Sequence, residues 1–507
     1  MSDLDPAASR ARPVREGVVL ACVSLCTILV VGFVASINLA VPKLAESGLN
    51  PSSAQLLWIV DAYVVFFACL VIPAGAVGDR YGRKGVLLAG LLIFAVGAAV
   101  SAAATGVAMM LVGRAVTGVG AACVLPNGLA VLIHGTRPSR RSHAIAVWAA
   151  MTGVGGVVGN VGGGAILSAG SWRWLFVAIV LLATVCAIWA AVAAPRSERH
   201  DRDLNPRASL LLTFATLALL VGIIEGPEHG WGSAVVVGAF AASLGLFAAW
   251  AFTEMRARHP LLDPRLFRIG GLRAACLGML VAFFGMFGLF YLNASLLQYG
   301  RGFSVFEAGL GVIPMVVAPV VASRYVPALV GRVGRPVVLG AAFVAIGAGL
   351  FGLATAIDGG YVWYAAWLVV IGVGMTLALP CLTMSIAAAL PRAQAGVAGG
   401  LQSTTRELGS ALGVAVIGTM ATSNFIHRLP AGAHGTRTVA DALAVTDPSR
   451  HGAVIDAYTA GAGAALKVVA VLVLVAGALV LTDMLWAQRR SRAATPVAEK
   501  IAEKVAK

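Results

Sequence analysis

The sequence predicts an all-α, polytopic membrane protein, and three observations lead there. Hydrophobic residues make up 59% of the 507 positions and charged ones only 12%, with a mean hydropathy of +0.90, far from the ~25% charged of a soluble domain. The apolar residues fall into long runs separated by short polar ones. Part of the chain also repeats itself at a fixed offset.

A bilayer core takes about 20 apolar residues to cross as a helix and tolerates no unpaired backbone facing lipid, so each long run is read as one span. The fourteen expected spans are 18–41, 54–77, 85–103, 106–132, 143–168, 174–194, 208–226, 233–254, 274–298, 305–329, 336–356, 361–389, 395–424 and 463–486. The first is too long for the core of a cleavable signal and is expected to remain. Of the 37 Lys and Arg, 27 fall in the termini and alternate loops, six on the opposite side and four within spans. The positive-inside rule then places both termini in the cytoplasm.

The net charge of +15 is thus a topological signal, and no nucleic-acid partner is expected, since no single basic face gathers the charge. The seven cysteines lie within spans without ligand spacing, so neither disulfide nor metal is expected. Residues 425–462 form the one long extracytoplasmic loop, polar, turn-rich and expected to be partly disordered. In the tail, Val497, Ile501 and Val505 recur at helical spacing among lysines, fitting either a helix on the inner leaflet or a solvated segment.

Val116, Gly118, Val119, Gly120, Leu125 and Pro126 in the fourth span return 254 positions later as Val370, Gly372, Val373, Gly374, Leu379 and Pro380 in the twelfth. Gly155, Gly159 and Gly164 in the fifth return at the same offset as Gly409, Gly413 and Gly418. One register across two consecutive spans indicates parallel repeats. The expected layout is a leader (1–17), a six-helix bundle (18–194), a linker carrying inserted spans seven and eight (195–273), a second six-helix bundle (274–486) and a tail (487–507). Such a duplication implies a central cavity and alternating access.

Ionisable groups at membrane depth cost about 2.5–3.5 kcal/mol each, so they ordinarily face a cavity or a partner. Asp61 and Arg114 both lie ~10–12 Å below the outer face and are close enough in depth to pair. A carboxylate held between desolvation and a nearby guanidinium suits proton exchange; alternatively Asp61 reaches the headgroups beside Trp58. Arg114 is either a tie to carbonyls or a coupling group. Arg406 and Glu407, near the midplane, point ~100° apart, so one is expected to line the cavity while the other holds a neighbouring helix.

Asn38, Asn127, Asn160, Asn293, Gln298 and Gln402 are neutral candidates for substrate contact or for helix packing. Gly155, Gly159, Gly163 and Gly164 suit either a bending gate or close packing. Glu225 and Glu228 are read as solvated, and Asp483 as a surface partner of Arg489 and Arg490. The glycine-rich stretch after the second span lacks GxxxxGK[ST] spacing, so no nucleotide site follows. No catalytic cluster is evident; an enzyme is not expected.

The stretch Gly75-Ala76-Val77-Gly78-Asp79-Arg80-Tyr81-Gly82-Arg83-Lys84 resembles the loop signature of the major facilitator superfamily. Leu111 to Gly120, Gly155 to Gly164, Trp58 to Tyr63, Trp172-Arg173-Trp174 and Thr405 to Gly409 resemble its fourteen-helix drug:proton antiporter branch. The resemblance implies the major facilitator fold, two six-helix bundles plus two inserted helices, in an inner cell membrane. It implies that Gly75, Asp79, Arg80, Gly82, Arg83 and Lys84 form a conformational latch, and that Asp61, Arg114, Glu407 and Arg406 are the proton-coupling candidates.

Three places depart from the pattern: Asn160 stands where the fifth-span signature has proline, Phe33 where many members carry a first-span Asp, and Ile179-Val180-Leu181 where a sixth-span Asn-Val-Pro is found. The missing carboxylate favours neutral, zwitterionic or singly charged amphiphiles over dications. The expected function is proton-coupled export of amphiphilic small molecules by a monomer, driven by the proton gradient without a cofactor. A proton-coupled uptake symporter on the same fold is the alternative.

Overall fold

The computed structural model describes residues 16–195, 206–257, 260, 263–322, 325–389 and 395–505, except 431, 434 and 437. The basic leader, the linker arginines Arg196, Arg199 and Arg202, and the side chains of the tail that were read as a surface helix lie outside the described residues. So do the side chains of Glu228, Arg489 and Arg490.

Among the described residues the secondary structure is helical: α1 (Glu16–Ala45), α2 (Ser53–Tyr81), α3 (Arg83–Ala102), α4 (Val107–His134), α5 (Arg141–Ala169), α6 (Arg173–Ala193), α7 (Pro206–His229), α8 (Ala234–Arg256), α9 (Gly270–Ser295), α10 (Val305–Leu310), α11 (Ile313–Ala322), α12 (Val326–Val333), α13 (Arg335–Thr355), α14 (Tyr361–Ala388), α15 (Ala395–Ile426), α16 (Val439–Val445) and α17 (His451–Val505). Local chemistry sets the bounds. Ser52 and Gln55 close a reciprocal capping box at the start of α2. At its end Gly82 has φ 105°, a left-handed conformation costly for a residue with a Cβ.

Twelve described helices are long and apolar enough to cross a membrane, against fourteen expected spans. The other two are the fifth and tenth. The fifth is one helix, α5, of 29 residues, several of whose side chains near its start lie outside the described residues. The tenth is interrupted at Gly311 and Val312, between α10 and α11, which corrects the expectation of one continuous helix; residues 323 and 324, between α11 and α12, lie outside the described residues. Pro314 falls at the second residue of α11. Its missing N–H and its ring disfavour helix through the preceding turn but suit the first turn of the next. The last span also differs: α17 starts at His451, twelve residues early, and the loop before it holds α16, capped by Thr438.

Helices α1–α6 pack on one another, as do α9, α11, α13–α15 and α17, and the two groups meet through α2 against α15 and α5 against α10. The α7–α8 hairpin lies on α2 and touches α15. Helix ends gather on two faces. On the Asn50 side, the Arg301 guanidinium donates to the Ala356, Ile357 and Gly359 carbonyls, Arg173 to Ala104 and Lys43 to Leu167 and Gly170. On the Gly82 side, Lys84 donates to the last carbonyls of α6, Ala191 and Ala194, and Arg273 pairs with Asp483. The expected pairing of Asp483 with Arg489 and Arg490 falls on side chains outside the described residues.

The repeated glycines do the same work twice. A Cβ on Gly159 would lie 2.1 Å from the Gly32 carbonyl oxygen of α1, and one on Gly413 would lie 2.2 Å from the Phe284 oxygen of α9. Gly155 likewise meets Ile28, and Gly409 meets Leu280. Thus α5 lies on α1 as α15 lies on α9, backbone to backbone, because side chains are absent from the seam. The last glycine of each series turns to the other half: Gly164 faces Val305 and Phe306, and Gly418 faces Leu57.

Candidate functional site

A cavity of about 150 Å³ opens between the two groups of helices and takes its walls from both. Val30 and Val34 of α1, Tyr63 and Phe67 of α2, and Gly153 and Gly156 of α5 form one side. Phe283, Met286, Phe287 and Phe290 of α9, Met315 of α11 and Met375 of α14 form the other. Aromatic faces and flexible thioethers make a wall that adapts to flat apolar guests.

Among the described residues that line it, the charged ones are Arg406 and Glu407. Arg406 Nε donates to Glu407 Oε1 at 2.7 Å, both side chains are nearly buried, and the guanidinium stands 5.8 Å from the Phe283 ring centroid. This corrects the expected division between cavity and neighbouring helix. Both residues line the cavity, since the long arginine side chain curls across the angular offset and neutralises the adjacent carboxylate.

Asp61 and Arg114 are each fully buried, yet they form no direct ion pair in the described structure. Arg114 donates from Nε to the Ile59 oxygen at 2.8 Å and from a terminal nitrogen to the Val60 oxygen at 3.1 Å. Its guanidinium lies 4.6 Å from the Phe33 ring centroid and 5.0 Å from that of Tyr63. Phe33 therefore gives the cation an aromatic face, an attraction that grows when water is excluded. Both Asp61 carboxylate oxygens are buried without a hydrogen-bond partner. Tyr63 lines the cavity and is within electrostatic range of both Arg114 and the Arg406–Glu407 pair.

The stretch expected to form a latch lies at the α2–α3 corner. Asp79 and Arg83 pair at 2.9 Å, Lys84 caps α6, and Arg80 lies beside the Tyr81 ring. Asn127 donates to the Ala74 and Cys123 carbonyls and fills the space that a side chain on Gly78 would need. It joins α2 to α4 and does not line the cavity.

The other neutral candidates are also outside the cavity wall. Asn38 and Asn160 donate to carbonyls one turn back, Asn293 accepts from the Tyr364 hydroxyl at 2.6 Å, Gln298 has a buried, unpartnered side-chain nitrogen, and Gln402 is half-buried. Gly75 only grazes Pro126, and Gly163 packs on Ser36. Glu225, read as solvated, instead accepts from Trp58 Nε1 at 2.6 Å and pairs with His229.

The aromatic wall was missed in the sequence reading. A signal existed: Phe283, Phe287 and Phe290 recur at i, i+4 and i+7, one face of a helix, although in an apolar span such a stripe cannot be told from ordinary packing.

The fold and site define a multi-pass membrane protein in which two groups of helices enclose an apolar cavity with one internally paired charge. The family model described as Major Facilitator Superfamily matches residues 23–414, and the chain belongs to that superfamily. Among curated relatives, it is similar to the tetracenomycin C resistance and export protein of Streptomyces glaucescens, 29% identical over 86% of each chain. It is 30% identical to the multidrug efflux pump LfrA of Mycolicibacterium smegmatis, over 88% of this chain and 90% of that one. It is 33% identical to the cephamycin export protein CmcT of Amycolatopsis lactamdurans, over 81% and 86%. Among solved structures it resembles the POT family transporter PepTSo, with TM-score 0.67, 14% identity and 94% and 99% coverage. A bacterial homolog of the human lysosomal transporter Spinster, inward-facing and unoccupied, gives TM-score 0.64, 16% identity and the same coverage. At these identities the structures speak for the fold alone.

Proposed function

We propose that the chain is a proton-coupled antiporter that exports amphiphilic small molecules, such as a drug, an antibiotic or a toxic metabolite, across a bacterial-type cell membrane. The observation that carries this reading is the cavity between the two halves. Its phenyl and methionine walls suit an apolar body, and its one ion pair is already satisfied, so a neutral or singly charged guest fits best. The relatives named for resistance and export support the direction of transport.

With both termini in the cytoplasm, as the Lys and Arg distribution supports, the Asn50 side is the outer face. The contacts of Gly164 with Val305 and of Gly418 with Leu57 then seal the outer side, and rocking of one half on the other would exchange that seal for one near Gly82. Asp79, Arg83 and Lys84 stand at the corner where such a seal would form.

Asp61 is the proposed proton carrier, since a dry carboxylate without bonded partners changes its interactions most when its charge changes. Arg114 holds the backbone of the same helical turn and supplies the field. Tyr63 connects this site electrostatically to the cavity, where Glu407 and Arg406 meet the substrate. Proton occupancy favours one arrangement of the halves and substrate the other, which couples the two movements. In proteoliposomes, Asp61→Asn is expected to abolish gradient-driven export; full export by this variant overturns the assignment. Reversing the imposed gradient separates export from uptake by the direction in which substrate accumulates.

A further inference from the structure

The inserted hairpin α7–α8 has no role in the scheme above, yet it is fastened to the helix that carries Asp61. Glu225 uses both carboxylate oxygens: Oε1 accepts from the Trp58 indole N–H at 2.6 Å, and Oε2 stands 2.9 Å from His229 Nδ1. Trp58 lies three residues before Asp61, on the same side of α2. A second tie runs from Thr213 Oγ1 to the Cys69 carbonyl at 3.2 Å. The ties are eleven residues apart on α2 and twelve on α7, so the two helices run antiparallel and are joined at points ~16–18 Å apart.

The tip of the hairpin is built to hold its position. Gly226 leaves room for the Trp231 ring, 2.8 Å from where a Cβ would stand, and Trp231 stacks on Phe240 of α8 at an interplanar angle of 6°. Ser243 of α8 donates to the Ala215 carbonyl of α7 at 2.9 Å. Glu225 is therefore presented on a braced end. The turn Trp58–Asp61 is in turn gripped from two directions, by Arg114 on the Ile59 and Val60 carbonyls and by Glu225 on Trp58.

We propose that Glu225 is a positioning residue for Asp61: through Trp58 it makes the α7–α8 hairpin a strut that sets where the Asp61 carboxyl stands. Among the described residues, the charged and titratable groups in electrostatic reach of Asp61 are Arg114 from α4 and Tyr291 from α9. A turn released from the strut moves Asp61 relative to both. The inference rests on the proposed proton exchange at Asp61, but the two fail separately. Export by Asp61→Asn tests the exchange, whereas the strut is tested by the chemistry of Asp61 itself.

The experiment is labelling of the full chain in lipid vesicles with dicyclohexylcarbodiimide, which attacks protonated carboxyls in apolar surroundings. The α2 peptide is read by mass spectrometry across a pH series. Trp58→Phe and Glu225→Ala are each expected to shift the labelling midpoint of Asp61 by about one pH unit, a tenfold change in its proton equilibrium. Glu225→Gln, which keeps an acceptor for the indole, should restore it. An unshifted midpoint in both Trp58→Phe and Glu225→Ala overturns the proposal. So does failure of Glu225→Gln to restore it, or an Asp61 that is never labelled in the unaltered protein. Because the two disrupting variants remove opposite ends of one bond, either serves if the other does not fold.

Discussion

Alanine at Gly159 tests the way the halves are built. A Cβ there would lie 2.1 Å from the Gly32 oxygen and 2.6 Å from the Gly32 carbonyl carbon and Cα, where ordinary contact begins at 3.4 Å. All three are backbone atoms, so no rotamer relieves the overlap, and α5 must retreat from α1 by about 1.3 Å. Overpacking of this kind costs about 1–3 kcal/mol, a five- to 150-fold loss in the folding equilibrium. The same arithmetic ranks a series. Gly163→Ala meets Ser36 Cβ at 2.5 Å, Gly155→Ala meets Ile28 Cα at 3.2 Å, and Gly162→Ala meets nothing within 4 Å.

Melting of the purified variants in detergent should follow that order, with Gly159→Ala the least stable. Gly162→Ala should equal or exceed the parent, because alanine is the better helix former by about 1 kcal/mol. Gly413→Ala, 2.2 Å from the Phe284 oxygen, should match Gly159→Ala, and the pair should add because the sites lie in separate halves. Equal melting of Gly159→Ala and Gly162→Ala would refute the α1–α5 seam; a harmless Gly413→Ala would refute its repetition.

Arg114→Lys exchanges a planar fork for a point charge and cannot reproduce both carbonyl bonds with the two ring contacts. A loss of about 1.5–3 kcal/mol is expected from one forfeited charged hydrogen bond, visible as a lower melting temperature; unchanged melting would show that the two carbonyls do not depend on the guanidinium. Gly156→Leu places a side chain into the cavity from a position with nothing within 4 Å. Binding of transported substrate should fall at least tenfold while melting is kept, and unaltered binding would place the substrate elsewhere.

Much of the fold was legible because a bilayer allows few answers. Length and apolar content mark a spanning helix whatever its neighbours, and twelve of the expected spans meet that standard in the described structure. The broken tenth span was misread for a corresponding reason. Pro314 is visible in the sequence, but prolines inside membrane helices are often accommodated by neighbours, as Pro126 of α4 and Pro380 of α14 are here. The side-chain partners were read least well. Glu225, read as solvated, instead accepts from Trp58, whereas of the two roles open to Arg114 the structure shows the tie to carbonyls, on another helix.

The sequence alone determined that the chain is polytopic, that part of it is duplicated at an offset of 254, and that few ionisable groups lie at membrane depth, since hydropathy and register are properties of order along a chain. Tertiary structure alone decided which of those groups meet. The rotation of one helix against another places Arg406 and Glu407 together in a cavity, leaves Asp61 without a bonded partner and turns Asn127 into a tie between helices. Rotation is set by the fit of glycine seams and aromatic rings from segments hundreds of residues apart, and no local pattern records it.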